Sequence, residues 1–189
     1  NLASGVYLRG LIKFEDDKDE FSASLQSLYS INTLAVFVIY LIGSSFWSRI
    51  LELPFRYVCL MFVDILVTVA FQFWSARQRV DFLYKALVGV TLLNAIMKPT
   101  LGITGVLLST DKVQARIYTM VLADVLVFGW FFIDIFRKKG LRISTKYWKY
   151  ALNYNLPLVP HYLSQTVLNQ SDRIMINSIV GSSAAGIYS

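Results

Sequence analysis

The sequence predicts an all-α membrane protein, a polytopic helix bundle with about five complete spans and partial spans at both ends. Three observations lead to this prediction. Hydrophobic residues make up 56% of the 189 residues, and charged residues only 16%. The apolar residues form runs long enough to cross roughly 30 Å of hydrocarbon as helices. The charged residues lie mostly between these runs, as they do in membrane proteins.

The predicted spans follow one another at short intervals. Residues 2–8 are expected to be the tail of an earlier helix, and the acidic run at 15–20 is expected to be a solvated loop. The complete spans are predicted at 28–47, 57–74, 86–108, 117–136 and 157–180. A polar segment at 94–99 breaks the third span. Pro99 is expected to kink the helix there, because it removes the hydrogen bond to the Ala95 carbonyl.

The distribution of basic residues predicts the orientation. Residues 1–27, 75–85 and 137–149 hold three, three and six of the eighteen lysines and arginines, whereas the opposite links, 48–56 and 109–116, hold four between them. Cytoplasmic loops carry the excess of lysine and arginine, so the first set of segments is expected in the cytoplasm. The last span then ends on the outside.

The last predicted span carries a polar residue at every fourth position. This polar row consists of His161, Gln165, Asn169, Arg173 and Asn177, and Asp172 lies beside it. Positions four apart drift slowly around a helix, so the polar row forms one winding face. Polar side chains in a membrane bond to neighbouring helices or line a wet cavity. Interhelical bonding suits any one of these residues, and a cavity wall suits the whole row.

Five charged residues lie within the predicted spans. They are Asp64, Lys98, Asp124, Asp172 and Arg173. A lysine or aspartate at mid-helix costs about 2.5–3.5 kcal/mol on insertion scales, so each is a candidate functional residue. The alternative is mutual pairing: Lys98 with Asp64 or Asp124, and Asp172 and Arg173 with groups on neighbouring helices.

Several kinds of chemistry have no support in the sequence. The chain has one cysteine, Cys59, and one histidine, His161, so neither an internal disulfide nor a metal site is expected. It has no glycine-rich phosphate loop and no spacing typical of a nucleophile, histidine and acid. The net charge of +6 comes largely from basic residues that flank the spans, which argues against nucleic-acid binding. We therefore expect no cofactor and no catalytic residue.

Motifs near the end of the chain resemble those of the polysaccharide flippases, the O-antigen and exopolysaccharide branch of the multidrug/oligosaccharidyl-lipid/polysaccharide exporter superfamily. The matching residues are Leu156-Pro157, SDRIMI at 171–176, Gly181 and AGIYS at 185–189, and GLIKFEDDKDEF at 10–21 resembles a loop of that family. The resemblance implies a two-lobed transporter of twelve to fourteen helices. Residues 1–149 would be the remainder of the first lobe, and residues 150–189 the start of the second. It also implies that the chain is an internal fragment.

The resemblance further implies a multi-pass protein of the cell (inner) membrane that transports undecaprenyl-pyrophosphate-linked oligosaccharide and is not an enzyme. Its partners would be membrane lipids and other polysaccharide assembly proteins. Lys98 and Arg173 suit the phosphates of such a substrate, and the uncharged members of the polar row suit its sugar hydroxyls. Asp64, Asp124 and Asp172 are candidates for ion coupling. The alternatives are a drug or ion antiporter of the same superfamily, or a membrane glycan polymerase or ligase.

Overall fold

The fold is a bundle of α-helices. The computed structural model describes residues 2–44, 46–47, 53–140 and 142–181, and this part of the chain contains helices and no strands. The helices are α1 (Leu2–Lys13), α2 (Lys18–Ile42), α3 (Phe55–Val80), α4 (Tyr84–Leu108), α5 (Lys112–Lys139), α6 (Thr145–Asn155) and α7 (Val159–Ile179), with short 3-10 turns at Glu15–Asp17 and Leu156–Leu158. The motif at 185–189 and part of the 48–56 link lie outside the described residues.

Four helices are long and apolar enough to cross a membrane. They are Glu15–Ile42, Phe55–Val80, Tyr84–Leu108 and Lys112–Asp134, which correspond to the first four predicted spans. The prediction of an all-helical, multi-pass membrane bundle is therefore confirmed. Helix α7 has 21 residues, about 31 Å of helix, which is enough length to cross. It is more polar than the other four, and its crossing stays a prediction.

Local sequence signals explain several of the helix boundaries. Pro54 precedes α3, where its fixed φ and missing N–H are compatible with a helix start. Gly140 follows α5 with a φ of +66°, the left-handed conformation that glycine adopts most easily after a helix. Pro99 lies inside α4, yet the helix continues through it from Tyr84 to Leu108. The third span is therefore one continuous helix, and the kink at Pro99 stays a prediction.

The largest apolar core lies at one end of the bundle, where α2 begins and α3 ends. Its buried residues come from α1, α2, α3 and α6, and they are Val6, Tyr7, Leu11, Phe21, Leu25, Phe73, Ala76, Tyr147 and Ala151. A side chain at Gly10 would overlap the ring of Phe21, so glycine allows α1 to approach α2 closely. Smaller apolar clusters join α2 to α3 around Tyr40, Val58 and Phe62, and join α3 to α5 around Val67, Val127 and Phe128.

The acidic run at 15–20 is not simply a solvated loop. Residues 15–17 form a 3-10 turn, and the following residues begin α2. Lys18 lies 3.2 Å from Asp81, Asp19 pairs with Arg77, and Arg77 also lies 3.5 Å from Asp81. The expectation is corrected because the end of α3 brings charges of both signs against the run. Exposed pairs of this kind each contribute up to about 1 kcal/mol, so they add less than the apolar core beside them.

The three basic segments meet at this same end of the bundle, which we call the basic end. The Lys18–Asp81 pair joins the first segment to the second. The backbone N–H of Arg142 donates to Ser27 Oγ at 3.2 Å, and the Trp148 indole donates to the Ser24 carbonyl at 3.0 Å, which joins the third segment to the first. The alternation of loops assumed in the charge count is thus the one that the fold has.

We predict that the basic end is cytoplasmic. In a Cys59→Ser background, a cysteine at Ser144 should resist an impermeant thiol reagent in intact cells and react once the cells are opened. A cysteine at Thr110, in the exposed link between α4 and α5, should react in intact cells. The reverse pattern would contradict the orientation, whose physical basis is the retention of lysine and arginine on the cytoplasmic side.

Candidate functional site

Three of the charged residues predicted within spans come together between α3, α4 and α5. Lys98 Nζ lies 2.7 Å from Asp124 Oδ2. The carboxyl group of Asp64 interacts electrostatically with both Lys98 and Asp124. We call Asp64, Lys98 and Asp124 the charge cluster. Of the two partners predicted for Lys98, the structure selects Asp124 for the direct ion pair.

Small residues on α4 position Lys98 against α5. Gly102 and Gly105 follow Lys98 by four and seven residues, so the three share one helix face. A side chain on Gly102 would meet the Arg116 guanidinium, and one on Gly105 would meet the side chain of Thr119. Glycines at such positions let two membrane helices approach closely. The close approach of α4 and α5 accounts for the short Lys98–Asp124 distance.

Burial in the charge cluster is uneven. The Asp124 side chain is 4% exposed, whereas the Lys98 side chain is 34% exposed. A buried carboxylate without a cation is costly, so Asp124 depends on Lys98. Lys98 keeps part of its surface open and is able to contact another group. The partial exposure of the Lys98 side chain makes the charge cluster a candidate site rather than a sealed structural pair.

The two carboxyl groups of the charge cluster are close enough to affect each other. Asp64 interacts electrostatically with Asp124. Within the described part of the chain, Asp64 Oδ1 and Asp124 Oδ1 are buried without a hydrogen-bond partner. The charge cluster therefore holds two acids beside one lysine, and two of their oxygens are unsatisfied.

Arg116 is a residue that the sequence analysis missed. Its position in the predicted outer link 109–116 suggested only a topological role. In the structure its guanidinium lies against Gly102, one helical turn from Lys98. Among the described residues it forms no salt bridge. An arginine side chain is long enough to reach a neighbouring helix, and this length could have indicated that Arg116 contacts α4.

The polar row lies apart from this packing. None of the residues of α7 is buried. The members His161, Gln165, Asn169, Arg173 and Asn177 are exposed, as is Asp172, and so are the apolar positions Leu168 and Ile174, at 70% and 66%. Exposure on all sides does not distinguish a cavity-lining face from a lipid-facing one. The cavity-wall role of the polar row stays a prediction.

A cleft of about 390 Å³ opens at the basic end, lined in part by Tyr7, Ser22, Trp74 and Arg77. Arg77 is held there by Asp19 and Asp81, so its charge is already balanced. Among the described residues, no group of three or more histidine, cysteine, aspartate or glutamate side chains is placed to hold a metal ion. The charge cluster is thus the stronger candidate for a functional site.

Comparison with known proteins finds one family. A family model described as polysaccharide biosynthesis protein matches residues 5–189. Neither the curated proteins nor the solved structures include a match. The matched range contains all four membrane-length helices, the charge cluster and the polar row.

We predict that Lys98 and Asp124 are energetically coupled. Lys98→Met should lower the stability of the detergent-solubilised protein by about 3–5 kcal/mol, because it leaves Asp124 buried without a cation. Adding Asp124→Leu should recover most of the loss, and adding Asp64→Leu should recover less. Thermal unfolding of the single and double variants measures the coupling.

The matched control is Asp111→Asn with Lys112→Gln, which changes an exposed acid just before α5 and the exposed base that begins it. Its stability should stay close to that of the unchanged protein, because surface charges contribute little. Losses that simply add in the Lys98→Met/Asp124→Leu double variant would contradict the coupling.

Proposed function

The chain belongs to the family of polysaccharide biosynthesis proteins, and we propose that it performs a transport step in that process: it flips a lipid-linked oligosaccharide across the cytoplasmic membrane. The substrate class is an undecaprenyl-pyrophosphate-linked oligosaccharide. Other polysaccharide assembly proteins would supply and receive it. In this role the protein moves its substrate and makes or breaks no covalent bond.

The observation that carries this proposal is the partly open charge cluster within a bundle of apolar helices. A lipid-linked oligosaccharide has a diphosphate and a hydrophilic glycan, and neither crosses hydrocarbon without a polar path. The Lys98 side chain is partly exposed, and the guanidinium of Arg116, which reaches over from α5, lies against Gly102 one turn away along α4. Two cations along the contact between α4 and α5 suit the two phosphates of a diphosphate, since arginine binds phosphate oxygens in pairs.

The carboxyl groups suit a coupling role in the same proposal. A diphosphate that approached Lys98 would compete with Asp124 for the ammonium group. Asp124 would then be left buried with Asp64 beside it, and taking up a proton would relieve the repulsion between the two acids. Substrate binding and proton uptake would therefore favour each other. Asp172 on α7 is the further candidate for ion coupling.

The polar row supplies the second half of the proposed path. Arg173 would hold phosphate, and His161, Gln165, Asn169 and Asn177 would bond to sugar hydroxyl groups. The exposure of α7 on every side is compatible with packing against helices beyond the described bundle. Polar side chains in a membrane are costly when they face lipid, which favours a wet interior surface for this face.

A second candidate function is an ion or drug antiporter. The specific observation in its favour is the excess of carboxyl groups in the charge cluster, two against one lysine. Acidic groups in a membrane cavity suit a cationic substrate. The family match to polysaccharide biosynthesis makes the oligosaccharide the preferred substrate.

We predict that the charge cluster is needed for export even when the fold is intact. The Lys98→Met/Asp124→Leu variant removes both charges of the pair, so its abundance should be close to normal. Export of surface polysaccharide should fall at least about tenfold, because the substrate loses one charge-assisted hydrogen bond. Cells that depend on this protein for surface polysaccharide allow the measurement. The Asp111→Asn/Lys112→Gln control should export normally. Full export by the charge-free variant would contradict the proposal.

We predict that Arg173 is the most sensitive member of the polar row. Arg173→Lys keeps the charge but loses the planar pair of donors, so export should fall about tenfold if phosphate is bound by both nitrogens. Arg173→Leu should reduce export further.

Cysteines at Gln165, Asn169 and Asn177 should react with small water-soluble reagents, whereas cysteines at Val167 and Ile174 should not. Equal labelling of both sets, or normal export by Arg173→Leu, would contradict the assignment.

A further inference from the structure

Basic and aromatic side chains face each other along the contact between α1 and α6. Arg9 and Lys13 lie four residues apart on α1, and Lys146, Tyr150 and Tyr154 are spaced by four on α6, so each set forms one row on its helix. The Arg9 guanidinium carbon is 5.2 Å from the centre of the Tyr154 ring, and Lys13 Nζ is 4.9 Å from that of Tyr150. We call these residues, together with Phe14, the α1–α6 seam.

The third cation completes the seam at its outer end. Lys146 Nζ lies 5.1 Å from the centre of the Phe14 ring, and Lys13 Nζ lies 5.8 Å from the same ring. Cations over ring faces are held by the quadrupole of the ring without losing their charge. Burial and the neighbouring Tyr154 raise the pKa of Tyr150 against the opposing effect of Arg9.

The three cations of the seam are exposed and form no salt bridge with the carboxylates of the described residues. Of the nearby acids, Asp17 accepts a hydrogen bond from Tyr147 at 3.4 Å, and Asp19 pairs with Arg77. Glu15, Asp16 and Glu20 are exposed to solvent. This differs from Lys18 and Arg77 at the same end of the bundle, which are both paired. The seam therefore places three cations without an ion pair among the described residues on an aromatic surface.

The seam lies at the depth where the membrane surface is expected. The ring of Tyr7 is 4.6 Å from that of Phe73, close to the point where α3 changes from apolar to basic residues at Arg77. Helix α1 runs from there toward the basic end, since it leads through a short turn to Lys18 and its partner Asp81. At 1.5 Å per residue, Arg9 and Lys13 lie about 3 and 9 Å beyond the level of Tyr7. The span predicted in α3 ends at residue 74, so this distance places Arg9 and Lys13 where the lipid head groups are expected.

We propose that the α1–α6 seam binds the phosphate of an anionic phospholipid from the surrounding leaflet and so holds α6 at the membrane surface. Charge complementarity and depth both favour this ligand: three cations face the head-group layer, where anionic lipids provide a high local concentration of phosphate. The aromatic rings contribute a surface that is apolar on its faces and polar at the tyrosine hydroxyl groups, which suits the boundary between acyl chains and head groups.

The test measures thermal unfolding of the intact protein in detergent while phosphatidylglycerol or phosphatidylcholine is added. A ligand that binds the folded state raises the unfolding midpoint, so phosphatidylglycerol should raise it and phosphatidylcholine should not. The variant Arg9→Gln/Lys13→Gln/Lys146→Gln should need at least about tenfold more phosphatidylglycerol for the same shift. Without anionic lipid the variant should still unfold in one cooperative transition, which shows that it folds, at a midpoint somewhat lower because the cation–π contacts are lost.

The matched control is Arg79→Gln/Lys85→Gln/Lys149→Gln, which removes three exposed cations from the same end of the bundle but leaves the seam intact. It should keep the response to phosphatidylglycerol. If both triple variants lost the response to phosphatidylglycerol equally, overall surface charge would explain the response and the proposal would be overturned. An equal shift with inorganic pyrophosphate would assign the seam to soluble anions, and displacement of phosphatidylglycerol by an equal amount of polyprenyl diphosphate would assign it to the transport substrate. Either result would also overturn it.

Discussion

A charged side chain inside a membrane must be matched, and in this bundle that constraint determines how three helices meet. Asp124 on α5 is almost completely buried, and its ion pair with Lys98 is 2.7 Å long. An unpaired carboxylate at that depth would cost several kcal/mol. Helix α4 therefore has to present Lys98 to α5, and Gly102 and Gly105 allow the backbone approach that this requires. The Lys98–Asp124 ion pair is required for the packing of α4 against α5, and the partly exposed Lys98 side chain leaves it accessible to a ligand.

The two ends of the bundle differ in how they are held. At the basic end, aromatic and aliphatic residues of α1, α2, α3 and α6 form a continuous core, with Tyr7, Phe21 and Phe73 fully buried. Ion pairs and hydrogen bonds around it join the basic segments to one another. This core fixes the end of α3, the helix that carries Asp64. The seam between α1 and α6 lies on the outer surface of the same core.

The errors of the sequence analysis have physical causes. The acidic run at 15–20 was expected to be a solvated loop because charge runs usually are. Its carboxylate side chains are exposed, but the run forms a 3-10 turn and the start of α2, and Arg77 and Asp81 approach it from α3. The third span continues through Pro99, because one missing hydrogen bond does not end a helix of 25 residues in a membrane, where the backbone has no better alternative. Arg116 was assigned to a loop because its backbone lies near one, although its side chain reaches back to Gly102.

The sequence by itself determined the helical class, the first four spans, the grouping of basic segments and the charged residues that need partners. Each of these follows from local composition, because a lipid environment penalises every exposed polar group in the same way along the chain. Only the tertiary structure decided that Lys98 pairs with Asp124, that Asp64 completes the charge cluster, and that Arg9, Lys13 and Lys146 gather over aromatic rings. These depend on the rotation and depth of one helix against another, which side-chain packing sets. The polar row on α7 also illustrates this dependence. Its spacing defines one face of the helix, but the role of that face depends on the helices packed against it.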